Sequence, residues 1–325
     1  MARLLLTDFG DPISAVRLDD SPPPAPGPDE VVVDMLAAPL NPADFLLMRG
    51  LYGVRPELPA PLGAEGVGRV VGGAPELAGR RVLVLPGLEQ GLWADRVVLP
   101  RHRVLPVGED VDLHQLSMLA VNPATAHLLL SQYAASLKPG SWVAQTAANS
   151  AMGRYLTALA HRRGLRTLNV VRRPSAVDEV RAAGGDRVVV SDDTLQASLK
   201  AALGGDRLSL VLDATGGPVV KELARALADG GTVVTYAFPE GAPRVSPADL
   251  VFRGITTTGF WLVNWFRRAS AGEVATLYGE LAGLVADGTL AAPVEATYAL
   301  ADYEKAFAHS LEPGRGGKIL FTFGG

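Results

Sequence analysis

Residues 141–153 read Ser141-Trp142-Val143-Ala144-Gln145-Thr146-Ala147-Ala148-Asn149-Ser150-Ala151-Met152-Gly153. An apolar run typical of a buried strand ends at Ala147, and a helical pattern begins at Gly153. A helix that follows a strand in this way presents free backbone N–H groups, which bind phosphate. Only Gly153 remains of the fingerprint G-x-G-x-x-G, so the motif is weak alone and gains weight from its position. The alternative is a plain strand–helix turn in which Asn149 or Ser150 caps the helix.

The alternation of apolar runs and helical patterns continues to about residue 260. Strands are predicted at residues 141–147, 167–171, 187–190, 208–213, 231–236 and 255–260. Helices are predicted at residues 153–163, 175–183, 195–203 and 219–228, and a longer one from 270 to about 287. Strands that alternate with helices form βαβ units around a parallel sheet. The order fits a doubly wound dinucleotide-binding fold of the α/β class.

The chain up to about residue 120 shows short strands between turns rich in proline and glycine. Strands are predicted at residues 31–38, 67–71, 81–85 and 94–99. Residues 21–28 contain five prolines and can only be a loop. This spacing predicts a small β-barrel-like domain, to which strands at 294–300 and 318–323 return. The predicted domains are residues 1–120 with 290–325, and residues 121–289.

Composition excludes several classes of function. The 325 residues carry a formal net charge of −4 without a basic stripe, so we expect no nucleic-acid partner. No apolar run approaches the ~18 residues of a membrane span. The N-terminus, Met1-Ala2-Arg3-Leu4-Leu5-Leu6, meets Asp8 at once, which predicts a first strand rather than a signal peptide. We therefore expect a cytoplasmic protein that does not bind membranes.

Residues 41–66 combine a phenol with a turn that resembles a metal-binding turn. They include Asn41-Pro42-Ala43-Asp44, Gly50-Leu51-Tyr52-Gly53 and Gly63-Ala64-Glu65-Gly66. The zinc branch of the medium-chain dehydrogenase/reductase superfamily carries an early Cys and a His in a Gly-His-Glu turn. Here Ala64 stands in place of the His, and the chain has no Cys. Since the usual zinc ligands are missing, we expect no metal, and the hydroxyl of Tyr52 can act as a general acid instead.

Two arginines follow the second predicted strand of the dinucleotide-binding region. An enzyme that uses NAD carries Asp or Glu about 20 residues after the glycine motif, where it binds the ribose hydroxyls. This chain has Arg172-Arg173 there. Paired guanidiniums bind a 2′-phosphate, which a carboxylate would repel. The sequence therefore predicts NADPH as the cofactor, and the alternative is two solvated arginines on a loop.

Several motifs together resemble the 2-enoyl thioester reductases, the zinc-free family that includes the mitochondrial trans-2-enoyl-CoA/ACP reductases. These motifs are the Asn41 and Tyr52 segments, Val121-Asn122-Pro123-Ala124-Thr125-Ala126, residues 145–153, Leu168-Asn169-Val170-Val171-Arg172, Val233-Val234-Thr235-Tyr236 and Gly259-Phe260-Trp261-Leu262. The resemblance runs nearly end to end. It implies a GroES-like β-barrel catalytic domain joined to a Rossmann cofactor domain.

The resemblance also implies roles for particular residues. Tyr52 matches the proton donor of the family, and Asn122 matches a residue that contacts the cofactor near the nicotinamide. Arg172 and Arg173 match the 2′-phosphate contacts. The other implied cofactor contacts are Asn149, Ser150, Ala151, Met152, Tyr236, Ala237, Phe238, Pro239, Phe260, Trp261, Leu262 and Lys318.

Most of these assignments have a plainer alternative. Tyr52 can be an ordinary loop aromatic, Trp261 a core residue and Lys318 a charge at a strand edge. Glu65, in the remains of the zinc turn, is interpreted as structural. The histidines are scattered singly and are interpreted as surface or packing residues; they are His102, His114, His127, His161 and His309.

The expected activity is reduction of the carbon–carbon double bond of 2-enoyl thioesters, carried on CoA or acyl carrier protein, with NADPH. Hydride goes to the β-carbon and Tyr52 protonates the α-carbon, in the cleft between the domains. The alternatives are a zinc-free quinone or enone reductase, which needs no Tyr acid, and a protein that binds NADPH without turnover. The strand at 255–260 is predicted at the edge of the sheet. Since the resembling family is dimeric through that edge, we expect a homodimer.

Overall fold

The chain forms two compact units in the computed structural model, which describes residues 1–87, 90–237, 241–242 and 244–324. The first unit comprises Met1–Ala124 and Trp265–Gly325, and the second comprises Thr125–Asn264. The predicted boundaries differ from these, because they assign the long helix at 270–287 to the cofactor domain. In the structure that helix belongs to the first unit, where the hydroxyl of Tyr278 donates to the backbone oxygen of Ala120 at 2.7 Å.

The secondary structure is numbered in chain order. The strands are β1 (Arg3–Leu6), β2 (Val16–Asp19), β3 (Glu30–Pro39), β4 (Ala60–Pro61), β5 (Gly66–Gly72), β6 (Arg81–Val84), β7 (Arg96–Pro100), β8 (Val104–Pro106), β9 (Trp142–Gln145), β10 (Arg166–Val171), β11 (Arg187–Val190), β12 (Leu208–Asp213), β13 (Leu227–Thr235), β14 (Thr256–Gly259), β15 (Val294–Tyr298) and β16 (Lys318–Thr322). The α-helices are α1 (Pro12–Ala15), α2 (Pro42–Met48), α3 (Leu113–Ser117), α4 (Asn122–Tyr133), α5 (Ala151–Arg162), α6 (Val177–Ala182), α7 (Leu195–Leu203), α8 (Pro218–Ala226), α9 (Pro247–Arg253), α10 (Leu262–Phe266), α11 (Ala271–Ala286) and α12 (Tyr303–Leu311). Among the described residues, no helix is both long and apolar enough to cross a membrane.

The second unit is built around a parallel sheet with the strand order β11-β10-β9-β12-β13-β14. This is the 3-2-1-4-5-6 order of the Rossmann fold, in which the winding direction reverses between the first and fourth strands. Every residue of the central strand β9 is buried, as expected for a parallel sheet that helices cover on both faces. The predicted doubly wound fold is confirmed, and β14 lies at the sheet edge as expected.

The described residues of the first unit form two sheets. The larger has the order β15-β16-β3-β5-β6-β8, with β7 also paired to β3, and the smaller has the order β2-β1-β4. Strand β16 pairs antiparallel with β3, so the C-terminal segment returns to the N-terminal sheet as predicted. The core beneath includes Trp93, whose ring centroid lies 5.4 Å from those of Phe307 and Phe321. These short strands confirm the predicted GroES-like character of this part of the chain.

Several helices have no counterpart in the sequence prediction, among them α2, α4 and α12. Helix α4 reads Asn-Pro-Ala-Thr-Ala-His-Leu-Leu-Leu-Ser-Gln-Tyr and carries apolar side chains on most of its circumference. A helix without a polar face gives no 3.6-residue periodicity to detect. Helix α2 has only 7 residues, too few for a periodic signal.

Candidate active site

The carboxyl ends of the parallel strands in the second unit bring most of the predicted cofactor residues to one edge of the sheet. In a parallel sheet all these ends share an edge, and ligands of doubly wound folds bind there. Strand β9 leads into the turn that contains Asn149, Ser150, Ala151 and Met152; β10 leads into Arg172 and Arg173; β13 leads into Tyr236 and Ala237; and β14 leads into Phe260, Trp261 and Leu262. The predicted contacts Phe238 and Pro239 lie outside the described residues.

The turn after β9 holds the start of helix α5 tightly against the strand. Ser150 is the N-cap and accepts a hydrogen bond from the backbone N–H of Gly153 at 3.1 Å. A Cβ on Gly153 would lie 2.3 Å from the backbone oxygen of Ala148, so only glycine fits. Ala147 has a φ of 52°, an uncommon value for a residue with a side chain. Ser150 therefore caps α5, as the plainer alternative proposed. The N-terminus of this 12-residue helix remains suited to phosphate.

Arg172 and Arg173 lie next to this helix N-terminus along the sheet edge. They follow β10, the direct neighbour of β9, and neighbouring strands are about 4.8 Å apart. Both side chains are exposed. Neither forms a hydrogen bond or an ion pair with another described residue. Two guanidiniums without an internal partner, beside a phosphate-binding helix end, fit a dinucleotide that carries an additional phosphate.

Buried hydroxyl and carboxylate groups line the middle of the same edge. Asp213, at the end of β12, accepts hydrogen bonds from Thr146 Oγ1 at 2.9 Å and from the backbone N–H of Gly216 at 3.1 Å. The hydroxyl of Tyr236 is buried and has no hydrogen-bond partner among the described residues. Burial, and then the charge of Asp213, raise the pKa of Tyr236 above its ordinary value. Tyr236 therefore keeps its proton and remains a hydrogen-bond donor.

Tyr52 lies in the first unit on the loop that follows helix α2. The helix ends at Met48, and Gly50 then turns the chain with a φ of 71°. The half-buried ring of Tyr52 packs against a core cluster that includes Phe45 and Met48 from α2. The loop position of the phenol is therefore set by the helix that precedes it.

A buried polar cluster surrounds the other end of α2. Lys318 Nζ donates to Asn41 Oδ1 at 2.5 Å and to the backbone oxygen of Leu40 at 2.8 Å. Asn41 Nδ2 donates to Glu65 Oε1 at 2.8 Å. Asn41 also donates its backbone N–H to Asp44 Oδ2 at 2.7 Å, which completes the cap of the helix. The sequence gives no signal that Lys318, Glu65 and Asn41 meet, because they are distant along the chain.

Burial shifts the ionisation of this cluster. It lowers the pKa of Lys318 to about 8, although Glu65 and Asp44 oppose the shift. It raises the pKa of Asp44 to about 7, and it also raises the pKa of Glu65. Lys318 is 8% exposed on the interior strand β16, so the alternative of a charge at a strand edge is wrong.

Comparisons with known proteins identify the family. Two family models match the chain, the alcohol dehydrogenase GroES-like domain over residues 27–109 and the zinc-binding dehydrogenase model over residues 151–277. The mitochondrial enoyl-[acyl-carrier-protein] reductase of Homo sapiens is 35% identical over 98% of this chain and 88% of its own length. The corresponding protein of Dictyostelium discoideum is 34% identical over 90% and 85%. The chain belongs to this enoyl reductase family.

Solved structures share the fold of this enoyl reductase family member. A quinone oxidoreductase of Pseudomonas syringae aligns with a TM-score of 0.87 and 25% identity over 99% of this chain and 100% of that one. A mutant form of the enoyl thioester reductase from Candida tropicalis aligns with a TM-score of 0.85 and 22% identity, each chain 99% covered, and shows the fold alone. The predicted resemblance and the two-domain fold are thereby confirmed.

The turn Gly63-Ala64-Glu65, which holds a zinc ligand elsewhere in the superfamily, has structural contacts in this enoyl reductase family member. Gly63 has a φ of 101°, and a Cβ there would lie 2.5 Å from the backbone nitrogen of Trp93, so the turn keeps its glycine. Glu65 is fully buried and bonded to Asn41, which agrees with a structural role. Within the described ranges, no group of three or more His, Cys, Asp or Glu side chains could hold a metal ion. That the protein works without zinc stays a prediction.

Proposed function

We propose that this protein reduces the carbon–carbon double bond of 2-enoyl thioesters, carried on CoA or acyl carrier protein, with NADPH. The observation that carries the proposal is its similarity over nearly the whole chain to enoyl-[acyl-carrier-protein] reductases. The candidate site supports it, because Tyr52 is present and the zinc ligands His and Cys are replaced or missing.

The choice of NADPH is supported by the second unit. The N-terminus of α5 suits the pyrophosphate, and Arg172 and Arg173 suit the 2′-phosphate. When bound, NADPH supplies a hydride to the β-carbon of the enoyl group. The two guanidinium charges and the helix N-terminus hold the two phosphate-bearing parts of the dinucleotide.

Tyr52 supplies the proton in the proposed reaction. Hydride addition leaves negative charge on the α-carbon and the thioester oxygen, and a hydrogen bond to that oxygen lowers the barrier. The phenol donates its proton to the α-carbon, directly or through water. A positioned general acid contributes ~10²–10⁴-fold to such a step. The packing of Tyr52 against α2 keeps the ring in place without a metal.

The protein is also proposed to act as a homodimer. Strand β14 is at the edge of its sheet, and Thr256 and Thr257 are exposed on it. Helix α9 immediately precedes this strand and exposes Val251 and Phe252 at 72% and 83%. An unpaired strand edge beside exposed apolar side chains is a surface that a second copy can cover.

The second candidate is reduction of quinones or enones. It is favoured by the similarity to the Pseudomonas syringae quinone oxidoreductase, whose fold covers 99% of the chain. A quinol oxygen takes its proton readily from water, so this activity has no need of Tyr52. A third candidate, binding of NADPH without turnover, predicts no oxidation of NADPH with any acceptor.

An assay of NADPH consumption separates these candidates. Crotonyl-CoA, longer enoyl-CoA esters, 2-hexenal and a quinone are compared at equal concentration. We expect the highest kcat/KM with an enoyl-CoA ester. A higher kcat/KM with the quinone would favour the second candidate, and no turnover with any acceptor would favour the third.

A further inference from the structure

The ammonium group of Lys318 is engaged inside the first unit. Two of its three N–H groups point to Leu40 O and Asn41 Oδ1, and only 8% of the residue is exposed. The family resemblance suggests a direct contact between this lysine and the cofactor. The geometry instead directs its charge toward the segment that starts helix α2.

Asn41 is the residue through which Lys318 acts. The orientation of its side-chain amide follows from the hydrogen-bonding roles of its two partners. The Lys318 ammonium can only donate, and the Glu65 carboxylate accepts. Asn41 Oδ1 therefore faces Lys318, and Asn41 Nδ2 faces Glu65 Oε1 at 2.8 Å. The other carboxylate oxygen, Glu65 Oε2, accepts the backbone N–H of Val121 at 2.7 Å.

This chain of contacts ends at Asn122. Its Nδ2 lies 3.5 Å from Asn41 Oδ1, a long hydrogen bond, and its backbone follows Val121, which Glu65 holds. Since Asn41 Oδ1 can only accept, the amide nitrogen of Asn122 must face it. The side-chain oxygen of Asn122 is then turned the other way and has no partner among the described residues.

We propose that Lys318, Asn41 and Glu65 are positioning residues that present the side-chain oxygen of Asn122 as a hydrogen-bond acceptor for an N–H or O–H group of the bound dinucleotide. The inference rests on the proposed function, in which Asn122 contacts the cofactor. Lys318 has no contact with the cofactor in this account. Its effect on turnover passes through Asn41 and Asn122.

A double-mutant cycle tests whether Lys318 acts through Asn122. Lys318→Met, Asn122→Ala and the double variant are compared in kcat and in the Kd of NADPH. We expect Lys318→Met alone to lower kcat ~10-fold, because a small misplacement of a contact is costly. In the Asn122→Ala background the same change should alter kcat less than about 2-fold, since coupled residues are not additive. Effects that multiply, or a loss of NADPH affinity that persists in that background, would overturn the proposal.

Lys318→Met removes a positive charge that faces Glu65 and Asp44, so this variant can fail to fold. A second variant then replaces it in the cycle. Glu65→Gln can accept from only one of Asn41 Nδ2 and the Val121 N–H, because an NH₂ donor replaces one of the two carboxylate oxygens. It enters the cycle with Asn122→Ala in place of Lys318→Met. The expected coupling is the same, and independent effects again overturn the proposal.

The alkaline pH profile gives a further readout. The charged and titratable groups that face Lys318 are Glu65, Asp44 and Arg315, and Tyr278 faces Glu65. Burial lowers the pKa of Lys318 to about 8, so its ammonium loses a proton as pH rises through that value. The neutral amine keeps two N–H groups, but its hydrogen bond to Asn41 is no longer strengthened by the positive charge. kcat of the wild type should fall across this range. Lys318→Arg, which keeps its charge, should retain more of its kcat at pH 9, and an identical decline would count against the proposal.

Nuclear magnetic resonance of the cofactor-free protein separates failure of this proposal from failure of the proposed function. The side-chain NH₂ signals of Asn41 and Asn122 should shift together as pH passes about 8. They should not do so in Lys318→Arg. Shifts of both signals without any enoyl-CoA turnover would support the positioning contacts and refute the function. Full turnover with a static Asn122 signal would refute the positioning role and leave the function standing.

Discussion

The environment of Asp44 disfavours its charge. It is fully buried, and its Oδ1 has no hydrogen-bond partner among the described residues. Burial raises its pKa to about 7, although the N–H of Asn41 and the charge of Lys318 favour the carboxylate. Between about pH 4 and pH 7 the folded protein therefore holds a proton that the unfolded chain has released. This contribution to stability is fully present below about pH 4 and declines as the pH rises to about 7.

Asp44→Asn should remove that decline. Asparagine keeps an oxygen for the N–H of Asn41 and does not titrate. From about pH 4 to 7 the free energy of unfolding of the wild type, relative to the variant, should fall by up to about 1.4 kcal/mol per pH unit. Urea unfolding at several pH values measures the difference. Asp20→Asn, an exposed carboxylate, is the control and should leave the slope unchanged. Equal slopes in wild type and Asp44→Asn would contradict the account.

Arg172 and Arg173 set the expected preference for NADPH. The double variant Arg172→Gln with Arg173→Gln should weaken NADPH binding by about 1.5–3 kcal/mol for each charge-assisted hydrogen bond that it removes. NADH binding should change little, because NADH lacks the 2′-phosphate. Fluorescence titration with both cofactors gives the two Kd values. Arg187→Gln, at the opposite end of β11, removes an exposed guanidinium away from this edge and is the control. The explanation fails if the wild type binds NADH as tightly as NADPH.

The placement of helix α5 depends on a glycine, Gly153. Gly153→Ala places a methyl group 2.3 Å from the backbone oxygen of Ala148, which cannot move aside cheaply. We expect a loss of about 1–3 kcal/mol in the free energy of unfolding, together with weaker NADPH binding. Gly279→Ala on α11 is the matched control, because its Cβ meets nothing within 4 Å. That variant should gain about 0.5–1 kcal/mol through helix propensity. If urea unfolding shows that both variants change the free energy of unfolding in the same direction, this account of the packing at Gly153 is wrong.

The elements of the second unit were predictable because their signals are local. Strand β9 begins with the apolar run Trp142-Val143-Ala144, and α5 follows it after a capping serine. The predicted and observed bounds differ at β13, which starts at Leu227 rather than at residue 231. The polar and glycine residues Asp229-Gly230-Gly231 interrupt its apolar pattern, so the first part of the strand gives no signal in the sequence. The cluster of Lys318, Asn41 and Glu65 was not predictable. It exists only because β16 pairs with β3, which joins residues almost a chain length apart.

At the scale of the whole molecule, the exposed face of α9 and the edge of β14 should hold two copies together. Val251→Ser with Phe252→Ser removes the apolar side chains that such an interface would bury, each worth about 1.5–3 kcal/mol when fully buried. Light scattering at micromolar concentration should show a dimer for the wild type and a shift toward monomer for the variant. Val71→Ser, an exposed apolar residue of the first unit, is the control. A wild type that is monomeric would refute the interface.

At the scale of the whole protein, the central proposal is that Tyr52 is the source of the proton. The measurement is kcat/KM with crotonyl-CoA for Tyr52→Phe, which keeps the packed ring and removes the hydroxyl. The matched control is Tyr133→Phe at the end of α4. We expect Tyr52→Phe to lose ~10²–10⁴-fold in kcat/KM with little change in the Kd of NADPH, and Tyr133→Phe to match the wild type. Turnover of crotonyl-CoA by Tyr52→Phe at close to the wild-type rate would contradict the proposed mechanism.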